Sequence, residues 1–129
     1  MGFNTGIKVL IVDDYNTMLR IMRNLLRQIG VEAVEDASNG EEALRMSRLN
    51  PPDLIISDWN MQPMTGLELL QKVRADERLK RTPFIMVTAE SKTENVIAAK
   101  QAGVSNYIVK PFNADTLRAK IDGVLCAGH

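Results

Sequence analysis

The sequence of 129 residues has one cysteine, one histidine and no long apolar run, and each of these shortages excludes a class of protein. Cys126 alone cannot form an intrachain disulfide, which fits a reducing compartment, and we expect it to be inert. The only histidine, His129, is the last residue, so neither a histidine-based zinc site nor a buried histidine base is expected. No apolar stretch approaches the roughly 20 residues that span a bilayer.

The charges are balanced, with 16 basic and 16 acidic residues. No overall excess therefore draws the chain to nucleic acid or to an anionic membrane, and there is neither a basic stripe nor an aromatic set for base stacking. The first six residues lack the basic and apolar segments of a secretory signal. We expect a single domain over residues 1–129, cytoplasmic and monomeric.

Four apolar runs each end at a polar residue, and these junctions carry most of the information about function. Short apolar runs with polar ends predict strands that are buried on both faces of a parallel sheet. The carboxyl ends of such strands lie on one edge, where open α/β proteins bind ligands. The runs are 8–12 before Asp13 and Asp14, 54–57 before Asp58, 84–87 before Thr88, and 107–109 before Lys110.

Three carboxylates, a hydroxyl and an amine are thus predicted to meet in one crevice. Carboxylates with no histidine or thiol beside them favour a hard cation that prefers oxygen ligands. A lysine next to them can bind an anion such as phosphate. The sequence therefore predicts a site for a divalent cation and a phosphate-like group at this edge.

Between the runs, apolar residues recur three and four positions apart, which is the spacing of amphipathic helices. In the first helix this stripe extends from Met18 to Ile29, and Gly30 follows as a C′ residue. A weaker second strand over residues 31–37, interrupted by two glutamates, is predicted at an edge of the sheet. Strand and helix therefore alternate along the chain.

Capping residues predict where the other helices begin. The second helix, with Ala43, Leu44 and Leu49 as its apolar residues, is expected to end before Pro51. Right-handed crossovers then place five helices on both faces of a five-stranded sheet. The capping signals are Asn39 for the second helix, Thr65 with Glu68 for the third, Ser91 with Glu94 for the fourth, which Gly103 ends, and Asn113 for the fifth.

Four segments at the predicted strand ends form a specific pattern when they are taken in order. They read VDD at 12–14, SDWNM at 57–61, VTAE at 87–90 and YIVKPF at 107–112. From about Lys8 to Leu125 the chain resembles the receiver domain of bacterial two-component response regulators, most closely the single-domain chemotaxis regulators. The resemblance implies a flavodoxin-like receiver fold of the α/β class, a five-stranded parallel sheet of order 2-1-3-4-5 flanked by five helices.

When the functional residues of the family are matched to this sequence, the resemblance implies that Asp58 is the phosphoacceptor and that the site holds Mg²⁺. The implied metal ligands are the carboxylates of Asp13, Asp14 and Asp58 and the backbone carbonyl of Asn60. A cation is also expected on grounds of charge, because two like charges ~4 Å apart repel by roughly 4 kcal/mol at an effective dielectric of 20. Attack by a carboxylate on phosphorus gives an acyl phosphate.

The resemblance also implies phosphoryl-binding and switch residues. Lys110 and Thr88 would bind phosphoryl oxygens. Movement of Thr88 would make room for the ring of Tyr107, which the small Ala89 permits, and the surface of the fourth helix, fifth strand and fifth helix would change. In the family the peptide bond between Lys110 and Pro111 is cis.

The implied function is that of a signalling switch that catalyses only its own phosphorylation and dephosphorylation. The phosphoryl group would come from a CheA-like histidine kinase, and the changed surface would bind a flagellar motor switch protein or another effector. A phosphatase is a further implied partner, and Asn60 and Glu90 stand where the family tunes hydrolysis. A single-domain phosphorelay shuttle stays open as an alternative, because it would share every site residue.

Each site residue also has a simpler explanation. Asp13 or Asp14 could cap the first helix, and Asp58 could be a turn residue. Thr88 could be an ordinary strand residue and Lys110 a solvated surface lysine. Their coincidence on one edge of the sheet favours the functional interpretation.

Other positions remain open between two interpretations. Trp59 and Met61 either form an exposed partner surface or cover the site, and Tyr107 could be only a half-buried strand aromatic. The segment 61–66 reads MQPMTG where the family commonly has Met-Pro-x-Met-Asp/Asn-Gly, so Pro63 is displaced by one place. Since proline fixes φ and lacks an amide donor, the loop that carries the Asn60 carbonyl is expected to differ in shape or mobility.

Two further classes of protein are not expected. A haloacid-dehalogenase-like phosphatase would need a second aspartate two places after the nucleophile, and Asn60 stands there. A nucleic-acid-binding regulator would need an output domain, and the sequence has none after the fifth helix.

Overall fold

The computed structural model describes residues 5–89 and 93–125, in which strands and helices alternate as predicted. The strands are Lys8–Val12 (β1), Ala33–Ala37 (β2), Leu54–Asp58 (β3), Phe84–Thr88 (β4) and Asn106–Val109 (β5). The helices are Asn16–Gln28 (α1), Gly40–Leu49 (α2), Gly66–Ala75 (α3), Thr93–Gln101 (α4) and Ala114–Leu125 (α5).

All five strands are parallel and lie in the order β2-β1-β3-β4-β5, which confirms the expected α/β fold and strand order. β2 lies at an edge, as the two glutamates in residues 31–37 predicted, but it begins at Ala33 and not at residue 31, so only Glu35 lies within the strand. The amide of Val31 donates to the carbonyl of Leu26 after Gly30 has turned at φ +96°. Val31 therefore belongs to the end of α1.

The core consists of one apolar layer on each face of the sheet. Val9 and Ile11 of β1 pack in the layer of α1 and α5, whereas Leu10 and Val12 pack in the layer of α2 and α3. This alternation follows from the two-residue period of a strand. Within the described ranges, no helix is long and apolar enough to cross a membrane.

The helix starts agree with the capping signals that fall on described residues. Asn39 caps α2, Thr65 and Glu68 form a reciprocal capping box at α3, and Asn113 accepts a bond from the first turn of α5. The signal at Ser91 lies outside the described residues. The cap distances are 2.8 Å from Glu42 N to Asn39 Oδ1, 3.2 Å from Glu68 N to Thr65 Oγ1, 2.9 Å from Thr65 N to Glu68 Oε1, and 2.8 Å from Thr116 N to Asn113 Oδ1.

Two sequence-based expectations about helices are wrong. Leu49 was expected on the apolar face of α2 but is 76% exposed, because it lies at least a third of a turn away from the buried stripe of Ala43, Leu44 and Ser47. The alternative that an aspartate caps α1 also fails, since the N-cap residue is Tyr15 and it has no side-chain cap bond. Asp13 instead accepts a 3.0 Å bond from the Tyr15 amide, which orients its carboxylate.

Candidate functional site

The site lies where β1, β3, β4 and β5 end. Asp13 follows β1, Asp58 ends β3, Thr88 ends β4 and Lys110 follows β5. The parallel register aligns these ends, pairing Val12 with Ser57, Asp58 with Val87, and Thr88 with Val109. The topology therefore gathers the polar residues that the sequence placed after four apolar runs.

Asp13, Asp14 and Asp58 form one cluster in which each side chain offers an oxygen within 4.8 Å of the others. Asp13 and Asp58 are buried, whereas Asp14 is exposed at the mouth of the cluster. Three carboxylate oxygens with solvent on one side match the needs of Mg²⁺, which takes a few protein oxygens and keeps several waters. The donor set of this structure therefore fits the expected metal.

Lys110 supplies the one cation that contacts this cluster within the described chain. Its Nζ lies 2.8 Å from Oδ1 of Asp58, and its backbone amide donates to the Thr88 carbonyl at 2.7 Å. The peptide bond between Lys110 and Pro111 is cis, as the family resemblance implied. The strand end and the ion pair together direct the lysine into the site, which excludes the simple surface-lysine interpretation.

The buried charge is least favourable at Asp13. Burial raises the pKa of the Asp13 carboxyl from 3.8 to about 6, and the Tyr15 amide opposes this shift. The nearby charge of Asp58 raises the pKa further, Lys110 lowers it, and Asp14 again raises it. Without a metal, the cluster thus holds more negative charge than its one lysine offsets.

Thr88 and Tyr107, the expected switch residues, both line a small cavity of about 10 Å³, which Trp59 and Val96 also line. Thr88 is buried, and Tyr107 is half-buried with Lys120 Nζ 5.9 Å from the centre of its ring. This geometry agrees equally with a switch and with a plain strand aromatic, so the switch stays a hypothesis.

Three other predicted residues have distinct surroundings. Met61 is 2% exposed and belongs to the core, so its alternative as a partner surface is wrong. Trp59 is half-buried against the same core layer, immediately after Asp58. Ala89 is exposed at the end of β4, and the next residue, Glu90, lies outside the described residues.

The loop from β3 to α3 holds a residue whose role the sequence analysis missed. The carbonyl of Trp59 accepts bonds from the amides of Met61 at 3.1 Å and Gly66 at 2.9 Å, which encloses the exposed Asn60. A Cβ on Gly66 would lie 2.3 Å from the carbonyl oxygen of Asp58. The signal that could have revealed this contact is a glycine as the first residue of a helix directly after its cap.

This loop also contains the displaced proline. The peptide bond between Gln62 and Pro63 is cis, and both residues are exposed. With Asp14 and Asn60 they line an open groove of about 530 Å³ beside the carboxylates. The groove leaves the acidic cluster accessible from solvent.

Comparison with known proteins agrees with this geometry. The family model of the response regulator receiver domain matches residues 9–122. Chemotaxis protein CheY-3 of Vibrio cholerae is 50% identical over 121 residues, 94% of this chain and 93% of that protein. Chemotaxis protein CheY of Pseudomonas aeruginosa is 51% identical over 117 residues, 91% of this chain and 94% of that protein.

Solved structures give the same result. The structure of V. cholerae chemotaxis protein CheY4 superposes with a TM-score of 0.87 at 39% identity and covers 93% of this chain and 99% of that one. A response regulator from Chloroflexus aurantiacus gives a TM-score of 0.88 at 34% identity, with 94% and 98% covered. With its fold, its strand-end residues and these matches in agreement, the chain belongs to the response regulator receiver domain family.

Proposed function

We propose that this protein is a phosphorylation-activated signalling switch that accepts a phosphoryl group on Asp58 from a histidine kinase. The observation that carries the proposal is the position of Asp58, buried at the end of β3 beside two further carboxylates and paired with Lys110 at 2.8 Å. A carboxylate so placed has a cation beside it for an incoming phosphoryl group. The acceptor Asp58 is part of the protein itself, so the protein would catalyse only its own phosphorylation and dephosphorylation.

The carboxylates of Asp13, Asp14 and Asp58 and the carbonyl of Asn60 would hold Mg²⁺. When bound, the ion supplies the positive charge that lets a phosphoryl group approach three carboxylates. The exposure of Asp14 and Asn60 leaves room for the waters that Mg²⁺ retains.

The transfer itself is a displacement at phosphorus. A carboxylate oxygen of Asp58 forms the new P–O bond while the P–N bond to the donor histidine breaks, and the imidazole leaves with the bonding electron pair. Since Lys110 binds Oδ1, we assign the attack to Oδ2. Lys110 and the Thr88 hydroxyl then bind phosphoryl oxygens, while Asn60 and Glu90 tune hydrolysis.

The output surface consists of α4, β5 and α5. Thr88 and Tyr107 share a cavity of about 10 Å³, so withdrawal of the Thr88 side chain toward the phosphoryl group gives the Tyr107 ring space to turn inward. Ala89, directly after Thr88, adds little bulk that would oppose this movement. The result is a two-state surface that a single charge-assisted hydrogen bond biases.

The named relatives favour a role in chemotaxis. We therefore propose that the phosphorylated protein, a cytoplasmic monomer with one receiver domain over residues 1–129, binds a target such as the flagellar motor switch. Its phosphoryl donor would be a CheA-like kinase, and a phosphatase would restore the resting state. A phosphorelay shuttle would pass the group on to a second histidine protein, and that onward transfer is not expected here.

The test is labelling with a small phosphodonor. Acetyl phosphate should add one phosphoryl group to the intact protein, read by mass, in the presence of Mg²⁺ and not in its absence. Asp58→Asn should give no adduct, whereas Asp53→Asn, an exposed carboxylate at the opposite end of β3, should label normally. An adduct that persists in Asp58→Asn would place the nucleophile elsewhere and refute the proposal.

A further inference from the structure

Arg74, near the end of α3, connects two segments that are separate in sequence. Its Nε donates to the carbonyl of Gly103 at 2.9 Å, and its Nη1 donates to the carbonyls of Thr82 at 2.6 Å and Lys80 at 3.2 Å. The side chain is half-buried, and burial lowers the pKa of the guanidinium. Bonds from a charged donor to carbonyls are stronger than neutral ones, so Arg74 holds the turn after α4 against the loop before β4.

The turn after α4 is shaped for this contact. Gly103 has φ +92°, and a Cβ at that position would lie 3.1 Å from Nε of Arg74. Two residues later, the amide of Ser105 donates to the Phe84 carbonyl at 2.9 Å, and the Ser105 hydroxyl accepts from the Phe84 amide at 3.0 Å. The carboxyl end of α4 is therefore attached both to α3 and to the start of β4.

The amino end of α4 has no comparable attachment among the side chains described from Glu94 onward. Within residues 94–101 Ala99 is the one buried side chain, and Ala102 and Val104, beyond the helix, pack against the core layer. Ile97, by contrast, is 49% exposed. The buried contacts thus concentrate in the second half of α4 and in the turn that Arg74 holds.

We infer that Arg74 is a positioning residue that fixes the carboxyl end of α4, so that rearrangement of the output surface is a pivot of the amino end of that helix. The pivot brings movement to the end of α4 that adjoins β4 and Thr88, and it keeps β5 in register through the Ser105 and Phe84 bonds. The inference rests on the proposed function, because a phosphoryl group on Asp58 is what would drive the pivot.

Residue-resolved amide hydrogen exchange of the full chain tests this arrangement. Arg74→Met removes the donors but keeps an alkyl side chain, and Arg74→Lys keeps the charge. The matched control is Arg48→Met, which removes the exposed pair between Arg48 Nε and Asp76 at 2.8 Å and leaves the Gly103 contact intact. Each protein is measured alone and with Mg²⁺ and beryllofluoride, a mimic of the phosphoryl group.

Without ligand, the amides of residues 103–105 should exchange about tenfold faster in Arg74→Met, less so in Arg74→Lys, and at the original rate in Arg48→Met. With beryllofluoride, the unsubstituted protein should change over residues 93–97 and stay constant over 100–105. In Arg74→Met the change should extend through both ranges, because the end of the helix is no longer held.

The inference is overturned if residues 103–105 keep their protection in Arg74→Met. It is also overturned if exchange in that variant accelerates as much in β1 and β3 as in residues 103–105, because such a change would indicate only general destabilisation. It is also overturned if beryllofluoride changes both halves of α4 equally in the unsubstituted protein. If beryllofluoride alters no amide even beside Asp58, the proposed function fails, and the ligand-free comparison still decides whether Arg74 holds the turn.

Discussion

At the scale of single residues, the site gathers three carboxylates and one lysine, so it carries more negative than positive charge. Asp13 is 5% exposed, and burial together with the neighbouring carboxylates raises its pKa to about 6. A raised pKa means that the folded protein binds a proton more tightly than the unfolded chain does. The ionised carboxylate therefore opposes folding until a cation offsets it.

Asp13→Asn should stabilise the metal-free protein at pH 8. Each pKa unit corresponds to about 1.4 kcal/mol, so the rise from 3.8 to about 6 destabilises the fold by up to about 3 kcal/mol once the carboxyl is ionised. Because the folded pKa is the higher one, the contribution of Asp13 to the free energy of unfolding is most favourable below pH 3.8 and is lost as the pH rises through about 6. Urea unfolding in EDTA at pH 5 and pH 8 would measure the gain, which should be larger at pH 8.

The control for this variant is Asp14→Asn, since Asp14 is exposed and its loss should change metal-free stability little. Added Mg²⁺ should stabilise the original protein and neither variant. Equal unfolding free energies for Asp13→Asn and the original protein at pH 8 would show that the ionised Asp13 carboxylate does not destabilise the metal-free fold.

Trp59 should report metal binding directly. It is the only tryptophan in the sequence and follows Asp58, so its emission reflects the site alone. Mg²⁺ should bind weakly and quench or shift this fluorescence, and Asp14→Asn should abolish the response. Constant emission up to tens of millimolar Mg²⁺ would contradict the proposed ligand set.

At the scale of elements, the β3–α3 loop sets the position of the Asn60 carbonyl. The two ends of the loop meet where the amide of Gly66 donates to the carbonyl of Trp59, and the amide of Met61 donates to the same carbonyl. Met64 packs against the start of α2, since a Cβ on Gly40 would lie 2.5 Å from the Met64 sulfur. The shape of the loop thus depends on two glycines that admit close packing.

Gly66→Ala should weaken Mg²⁺ binding as well as stability. The new Cβ would meet the Asp58 carbonyl oxygen at 2.3 Å, so backbone next to the phosphoacceptor must shift. Overpacking of this kind costs about 1–3 kcal/mol. Urea unfolding and the Trp59 titration would measure the two effects.

The matched control is Gly123→Ala in α5, where a Cβ meets nothing within 4 Å. That variant should stabilise the helix by about 0.5–1 kcal/mol and leave Mg²⁺ affinity unchanged. If Gly66→Ala loses stability but binds Mg²⁺ as before, the loop does not position the metal ligand.

The elements also show what could be predicted from the sequence. Strands, helix caps and the residues Asp13, Asp58, Thr88 and Lys110 were predictable because their signals are local: an apolar run, then a polar residue. The contact of Gly66 with the Asp58 carbonyl was not, because close packing depends on how a loop folds back.

The three carbonyls that Arg74 binds were equally unpredictable, since they come from loops 6 to 29 residues away. The exposure of Leu49 was in principle predictable, because the helical phase places it away from Ala43 and Leu44. Local patterns thus predict which residues reach the site, whereas long-range hydrogen bonds determine what holds them there.

At the scale of the whole molecule, the proposed switch connects a site at one edge of the sheet to a surface on its side. The connection is short: Asp58 pairs with Val87 on β4, Thr88 ends that strand, and Tyr107 of β5 lines one small cavity together with Thr88. We propose that phosphoryl chemistry at Asp58 changes β5 and α5 through Thr88.

The most direct test is a beryllofluoride titration followed by amide NMR spectra of the original protein and Thr88→Ala, with Mg²⁺ present. In the original protein, resonances of Asn106–Val109 and Ala114–Leu125 should shift together with the Trp59 signal. In Thr88→Ala, which keeps the carboxylate cluster intact, Trp59 should still respond while the shifts in β5 and α5 are lost or strongly reduced. Full shifts in β5 and α5 of Thr88→Ala, or shifts confined to the metal loops in the original protein, would show that Thr88 does not couple Asp58 to this surface.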